Sequence, residues 1–229
     1  MTNDSKSEQK QYPFFKEEWP ILFSLIIISI LYPLLPDAIS KIFPILTSAP
    51  LITRIVSISL SSILVLATVL GWVMQWVKFS RYVLISFAII VTVYLISGVF
   101  LLGGSLFTLH GTAAAVTLLR DAIIVWVINI LIFAVWFWLI DGGGRRKRHA
   151  HLPMKRDFLF TQEHSKIPGW ENWQPNYMDY LFLSFCNCST FGPTDTLVLS
   201  RRVKSLVMIQ TMISLITLSM LITRAFSLV

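Results

Sequence analysis

The chain has 229 residues, of which 55% are hydrophobic and only 14% charged, where an average soluble domain carries about 25% charged residues. With 30 aromatic residues and a mean hydropathy of +0.70, a globule of this size could not hide its apolar surface from water, which excludes a soluble enzyme and a disordered tail. The formal charge of +7 is unevenly placed, with seven charges in residues 1–18, sixteen in residues 141–204 and seven in the 122 residues between Trp19 and Ile140. Positive charge flanking apolar runs is a membrane-topology signal, not a nucleic-acid footprint.

Five uncharged apolar runs reach the roughly 17–25 residues needed to cross a hydrocarbon core of about 30 Å. They are Trp19–Pro36, Ile55–Val77, Tyr82–Phe107, Ala122–Ile140 and Ser205–Thr223. The runs are continuous, whereas strands of a membrane barrel alternate apolar and polar residues, so the expected spans are helices. Pro33 and Pro36 close the first. Gly103 and Gly104 are expected to interrupt the third, and Asp141 followed by Gly142–Gly144 to stop the fourth. The short apolar stretch Ile42–Thr53, broken by Pro44 and Pro50, reads as an interfacial connection.

Threading these spans puts fifteen basic residues on one side, including Lys6, Lys10, Lys16, Lys78, Arg81, Arg145–Arg148, Arg201, Arg202 and Lys204, against Lys41, Arg54, Arg120 and Arg224 on the other. The positive-inside rule then predicts a multi-pass membrane protein with its N-terminus in the cytoplasm and its C-terminus outside. Trp19, Trp72, Trp76, Trp136 and Trp138 fall at the same cytoplasmic ends, as an aromatic belt would. Four regions follow: a tail at 1–18, a four-helix membrane region at 19–140, a basic cytoplasmic loop at 141–176, and a terminal module at 177–229.

The terminal module opens on Asn176, a good helix cap, with the acid Asp179 in the first turn. The apolar stretch Tyr180–Phe191 is too short to span and suits a re-entrant or buried half-helix within residues 177–200. Thr190, Phe191, Gly192, Pro193, Thr194 and Asp195 follow, then a basic flank and the last long helix. Irregular backbone of this kind survives at membrane depth only when buried in protein or lining a wet cavity. A half-helix ending there aims its negative dipole end at that cavity, which favours a cation.

This order resembles the pore domain of tetrameric potassium channels, whose filter is Thr-Val-Gly-Tyr-Gly-Asp. Thr190, Gly192 and Asp195 match without a gap, while Pro193 replaces the tyrosine and Thr194 the second glycine. The resemblance covers about fifty residues, Asp179–Val229. Because proline and threonine restrict the backbone that the second glycine frees, it does not extend to potassium selectivity. Potassium-channel loops enter from outside, whereas the charge pattern brings both flanks of this one to the cytoplasm, an entry side that glutamate-receptor channels share. Over more of its length the chain resembles uncharacterised bacterial multi-pass proteins with an Asp-Gly-Gly turn and a Ser/Thr-Pro-Thr-Asp motif, a likeness that implies no activity.

On the last helix Gln210, Ser214, Thr217 and Arg224 fall on a stripe about 80° wide at ~100° per residue. By analogy with an inner helix, Gln210, Ser214 and Thr217 are candidate pore-lining residues. Alternatively, the stripe packs helices and bonds across them. Asn129 in the fourth span is expected to bond a neighbouring helix or a backbone group. Cys186 and Cys188, read as reduced thiols, with His149 and His151 in the loop, are too thin a set to assign a metal. No phosphate-binding loop, metalloprotease helix or catalytic Ser/His/Asp pattern appears, so neither an enzyme nor a cofactor is expected.

The expected fold is all-α: five membrane helices plus a re-entrant half-helix and loop before the last one. The leading functional expectation is the pore-forming subunit of a homo-oligomeric cation channel, most simply a tetramer passing monovalent cations. Thr190–Asp195 would form the constriction, because one loop per chain needs several copies around an axis. The alternative is a non-conducting membrane protein whose loop has closed. A broken-helix transporter is disfavoured, since no second interrupted segment occupies a matching position.

Overall fold

A computed structural model describes residues 14–35, 50–74, 76–108, 112–141, 156–164, 168, 173–189 and 196–226. In chain order these form α1 (Phe14–Leu31), a single 3-10 turn (Tyr32–Leu34), α2 (Pro50–Val73), α3 (Val77–Thr108), α4 (Thr112–Ile140), β1 (Phe158–Phe160), α5 (Thr161–His164), α6 (Tyr177–Cys188), β2 (Thr196–Val198) and α7 (Arg201–Phe226). Among the described residues four helices are long and apolar enough to cross a membrane, namely α2, α3, α4 and α7, and α1 contributes a shorter apolar stretch, Trp19–Leu34.

Helix ends depart from the hydropathy pattern for local reasons. α2 starts at Pro50, inside the stretch expected to be a connection. A proline is well placed in a first helical turn, where its missing N–H has no partner to lose. The helix ends at Val73, and the chain turns at once into α3 through bonds from Met74 N to Leu70 O and from Trp76 N to Gly71 O, both 2.8 Å. Gly71 permits that turn: a Cβ there would stand 3.1 Å from the Ser80 Cβ and 3.2 Å from Phe79. Gly103 and Gly104 do not interrupt α3, which runs through both to Thr108. At Gly103 a Cβ would meet the Met220 methyl at 3.2 Å, so the missing side chain serves the approach of α7. α4 starts ten residues before the expected span and carries Arg120 and Asp121 within it.

α4 is the central element. It packs against α1, α3, α6 and α7, and every residue from Ile128 to Val135 is buried. Its apolar window is 67% buried, against 22% for those of α2 and α7. On α1 the buried residues Ile21, Leu25 and Ile28 alternate with exposed Trp19, Phe23, Ile26 and Ile30, so one apolar face meets α4 and another meets the surroundings. The described chain is not wholly helical. β1 and β2 pair antiparallel, Phe158 opposite Val198 and Phe160 opposite Thr196, and Leu199 N extends the ladder to Asp157 O at 2.9 Å. A piece of the basic loop is thereby fastened to the segment that follows α6.

Candidate functional site

The short helix α6 begins as its sequence predicts. The Asn176 side chain accepts from Met178 N, and Asp179 Oδ2 accepts from Asn176 N, both at 2.7 Å, a reciprocal capping box. The helix has 12 residues and so rises about 18 Å. Its faces are inverted relative to a helix on a soluble protein. Tyr180, Ser184, Asn187 and Cys188 are buried, while Met178, Phe182 and Phe185 stand 52%, 48% and 45% exposed. α7 repeats the inversion, with Gln210, Ser214 and Thr217 at 0% exposure and Met208, Met212 and Leu215 outward. Polar groups inward and apolar groups outward is the arrangement an apolar solvent selects.

At the inner half of α6 the polar faces of α4, α6 and α7 interlock. Gln210 Nε2 donates to Ser184 Oγ (2.6 Å), Ser184 O (3.1 Å) and Cys188 Sγ (3.0 Å). Ser184 Oγ in turn donates to Ile130 O of α4 at 2.6 Å. Asn129 Nδ2 reaches Gln210 O at 3.2 Å and Cys188 Sγ at 3.4 Å, the cross-helix bond expected of an amide in this span. The carbonyls closing α6 are also engaged. Ser214 Oγ and Trp126 Nε1 donate to Cys188 O, while Ser189 donates to Phe185 O and Cys186 O. Thr217 Oγ1 bonds Ile213 O of its own helix at 2.7 Å.

At the other end of α6 sits an ionic cluster around Asp141, the residue that follows α4. Asp141 Oδ1 accepts from the N–H groups of Asp157 (3.0 Å) and Phe158 (3.3 Å), and Oδ2 from the Tyr180 hydroxyl (2.6 Å). Arg156 lies 3.8 Å from Asp141 and 2.6 Å from Glu163. Asp157 takes both Arg202 Nε (2.9 Å) and Nη2, a two-point pair that ties the loop to the start of α7. Around these groups Phe137, Phe158, Phe160 and Tyr180 pack edge to face with centroids 5.4–5.9 Å apart.

The sequence candidates are therefore placed unequally. Thr190, Phe191, Gly192, Pro193, Thr194 and Asp195 lie outside the described residues, as do His149 and His151. Gln210, Ser214 and Thr217 come together on one face, buried inside the chain. Cys186 and Cys188 are buried thiols, and among the described residues no three His, Cys, Asp or Glu side chains converge as metal ligands. Asp141, Asp157, Tyr180, Ser184 and Trp126 were not candidates. One signal was available for Asp141: an acid closing a helix opposes the helix dipole and needs donors to hold it. Comparisons of the chain with protein-family models, curated proteins and solved structures find no match.

Proposed function

We propose that the chain is a multi-pass protein of a bacterial inner membrane, N-terminus in the cytoplasm, in which segment 177–200 enters and leaves the bilayer on the same side and is closed within the subunit. Its role is then structural or regulatory and not ion conduction through that segment. α1, with its shorter apolar stretch, serves as the fifth span. Contacts at both ends of the segment support re-entry. Tyr180 meets Asp141 near its entry, and at its exit β2 pairs with β1, while Arg202 just beyond holds Asp157, whose own N–H reaches Asp141. Between these ends α6 is little more than half as long as the ~30 Å core is thick.

The observation that carries the closed reading is the burial of Gln210, Ser214 and Thr217 at 0% exposure within one chain. A side chain enclosed by its own subunit cannot line a space between subunits. The α6 carbonyls that would face a cation in a pore accept instead from Ser189, Ser214 and Trp126. A second reading, a homo-tetrameric channel for monovalent cations, draws on the threonine, glycine and aspartate order of Thr190–Asp195 and on the outward apolar faces of α6 and α7. Its lumen would be bounded by residues such as Met208 and Met212, not by the polar stripe.

Flux through liposomes loaded with K⁺ or Na⁺ tests the choice. The closed reading expects the purified protein to leak no faster than protein-free vesicles. A cation flux that Asp195→Asn alters would overturn it in favour of the channel.

A further inference from the structure

The carboxamide of Asn129 is 0% exposed and only half satisfied. Its nitrogen is fixed in place by Gln210 O, a carbonyl that can only accept, so exchanging nitrogen and oxygen would set two acceptors against each other. The oxygen is then the atom left over, and among the described residues no donor reaches it. Around it the protein offers few protons. Both Gln210 Nε2 hydrogens are taken by Ser184 and Cys188, and the Ser184 hydroxyl is given to Ile130. Gln210 Oε1 is itself weakly served, by Asn187 Nδ2 at 3.4 Å. Two under-used amide oxygens thus belong to side chains that bond the same thiol, Cys188.

We infer that this junction of α4, α6 and α7 binds a water molecule, which donates to Asn129 Oδ1 and draws its second contact from the neighbouring Gln210 or Cys188. Buried amide oxygens are almost always satisfied, and a water with two to four polar partners is the usual means. The ligand is neutral because none of the residues bonded in the cluster is ionised, so a cation would be buried without a counter-charge in a medium that penalises it heavily. The inference is independent of whether segment 177–200 conducts.

Radiolytic footprinting of the full-length protein in detergent micelles tests it, because hydroxyl radicals made from a bound water oxidise the side chain beside it even when that side chain is shielded from bulk solvent. Cys188, wholly buried, is expected to be oxidised in the wild type and at least fivefold more slowly in Asn129→Leu, which removes the acceptor at similar size. Asn129→Ser, which keeps a polar group and leaves more room, is expected to retain the oxidation. An unmodified Cys188 in the wild type overturns the inference whatever the variants do. So does equal oxidation in wild type and Asn129→Leu, or oxidation that added Na⁺ or K⁺ suppresses, which would identify a cation at the site.

Discussion

The Gln210 side chain reaches α6 through Ser184 and Cys188, while its backbone carbonyl serves Asn129 of α4. Replacing it by leucine removes its bonds to Ser184 and Cys188 and takes the acceptor from Asn187 Nδ2, at about 1–3 kcal/mol for each group left unsatisfied. Gln210→Leu is therefore expected to lower the thermal midpoint in detergent by several degrees. Thr217→Val should change it little, since Thr217 bonds only the Ile213 carbonyl of its own helix, a bond that adds almost nothing to helix stability. If the two variants behave alike, the polar stripe is not a clamp. The stripe itself was legible from its spacing, as was the bond from Asn129. What the stripe faces was not, because a residue pattern records which side of a helix is polar and not whether a neighbour or a lumen lies there.

Among elements, α6 gives the sharpest contrast. Its inverted faces predict that Phe182→Asp, on an outward face 48% exposed, costs as much as placing an acid against lipid, roughly 2–3 kcal/mol. On a water-facing surface the same change would be harmless or would improve solubility. Yield of folded protein in the membrane fraction distinguishes these outcomes. At the other end, Tyr180→Phe removes the hydroxyl from Asp141 and is expected to destabilise by about 1–2 kcal/mol, measured as a shift in thermal midpoint. The start of α6 could be read directly, because Asn176 and Asp179 form a local motif. The β1–β2 ladder could not, since three-residue strands far apart in sequence leave no periodicity. The start of α2 differs from the sequence expectation because Pro50 acts as a breaker within a helix and as a starter at its first turn.

At the scale of the molecule, α4 is the post to which α1, α3, α6 and α7 are fastened, and the terminal module holds it at two levels, the Gln210 junction and the Asp141 cluster. Hydropathy ranks α4 first among the four long apolar helices, but the small differences between their windows do not foretell a threefold difference in burial. The account predicts that the chain on either side of α6 lies on one face of the membrane. The most direct test is thiol labelling by a membrane-impermeant reagent of Thr161→Cys, before α6, and Lys204→Cys, after it, in sealed vesicles of known orientation. Both positions are exposed, and the native thiols are buried and serve as the unlabelled background. Labelling of both from the cytoplasmic face is the predicted result. Labelling of the two from opposite faces would show that the segment crosses the bilayer and would contradict the account.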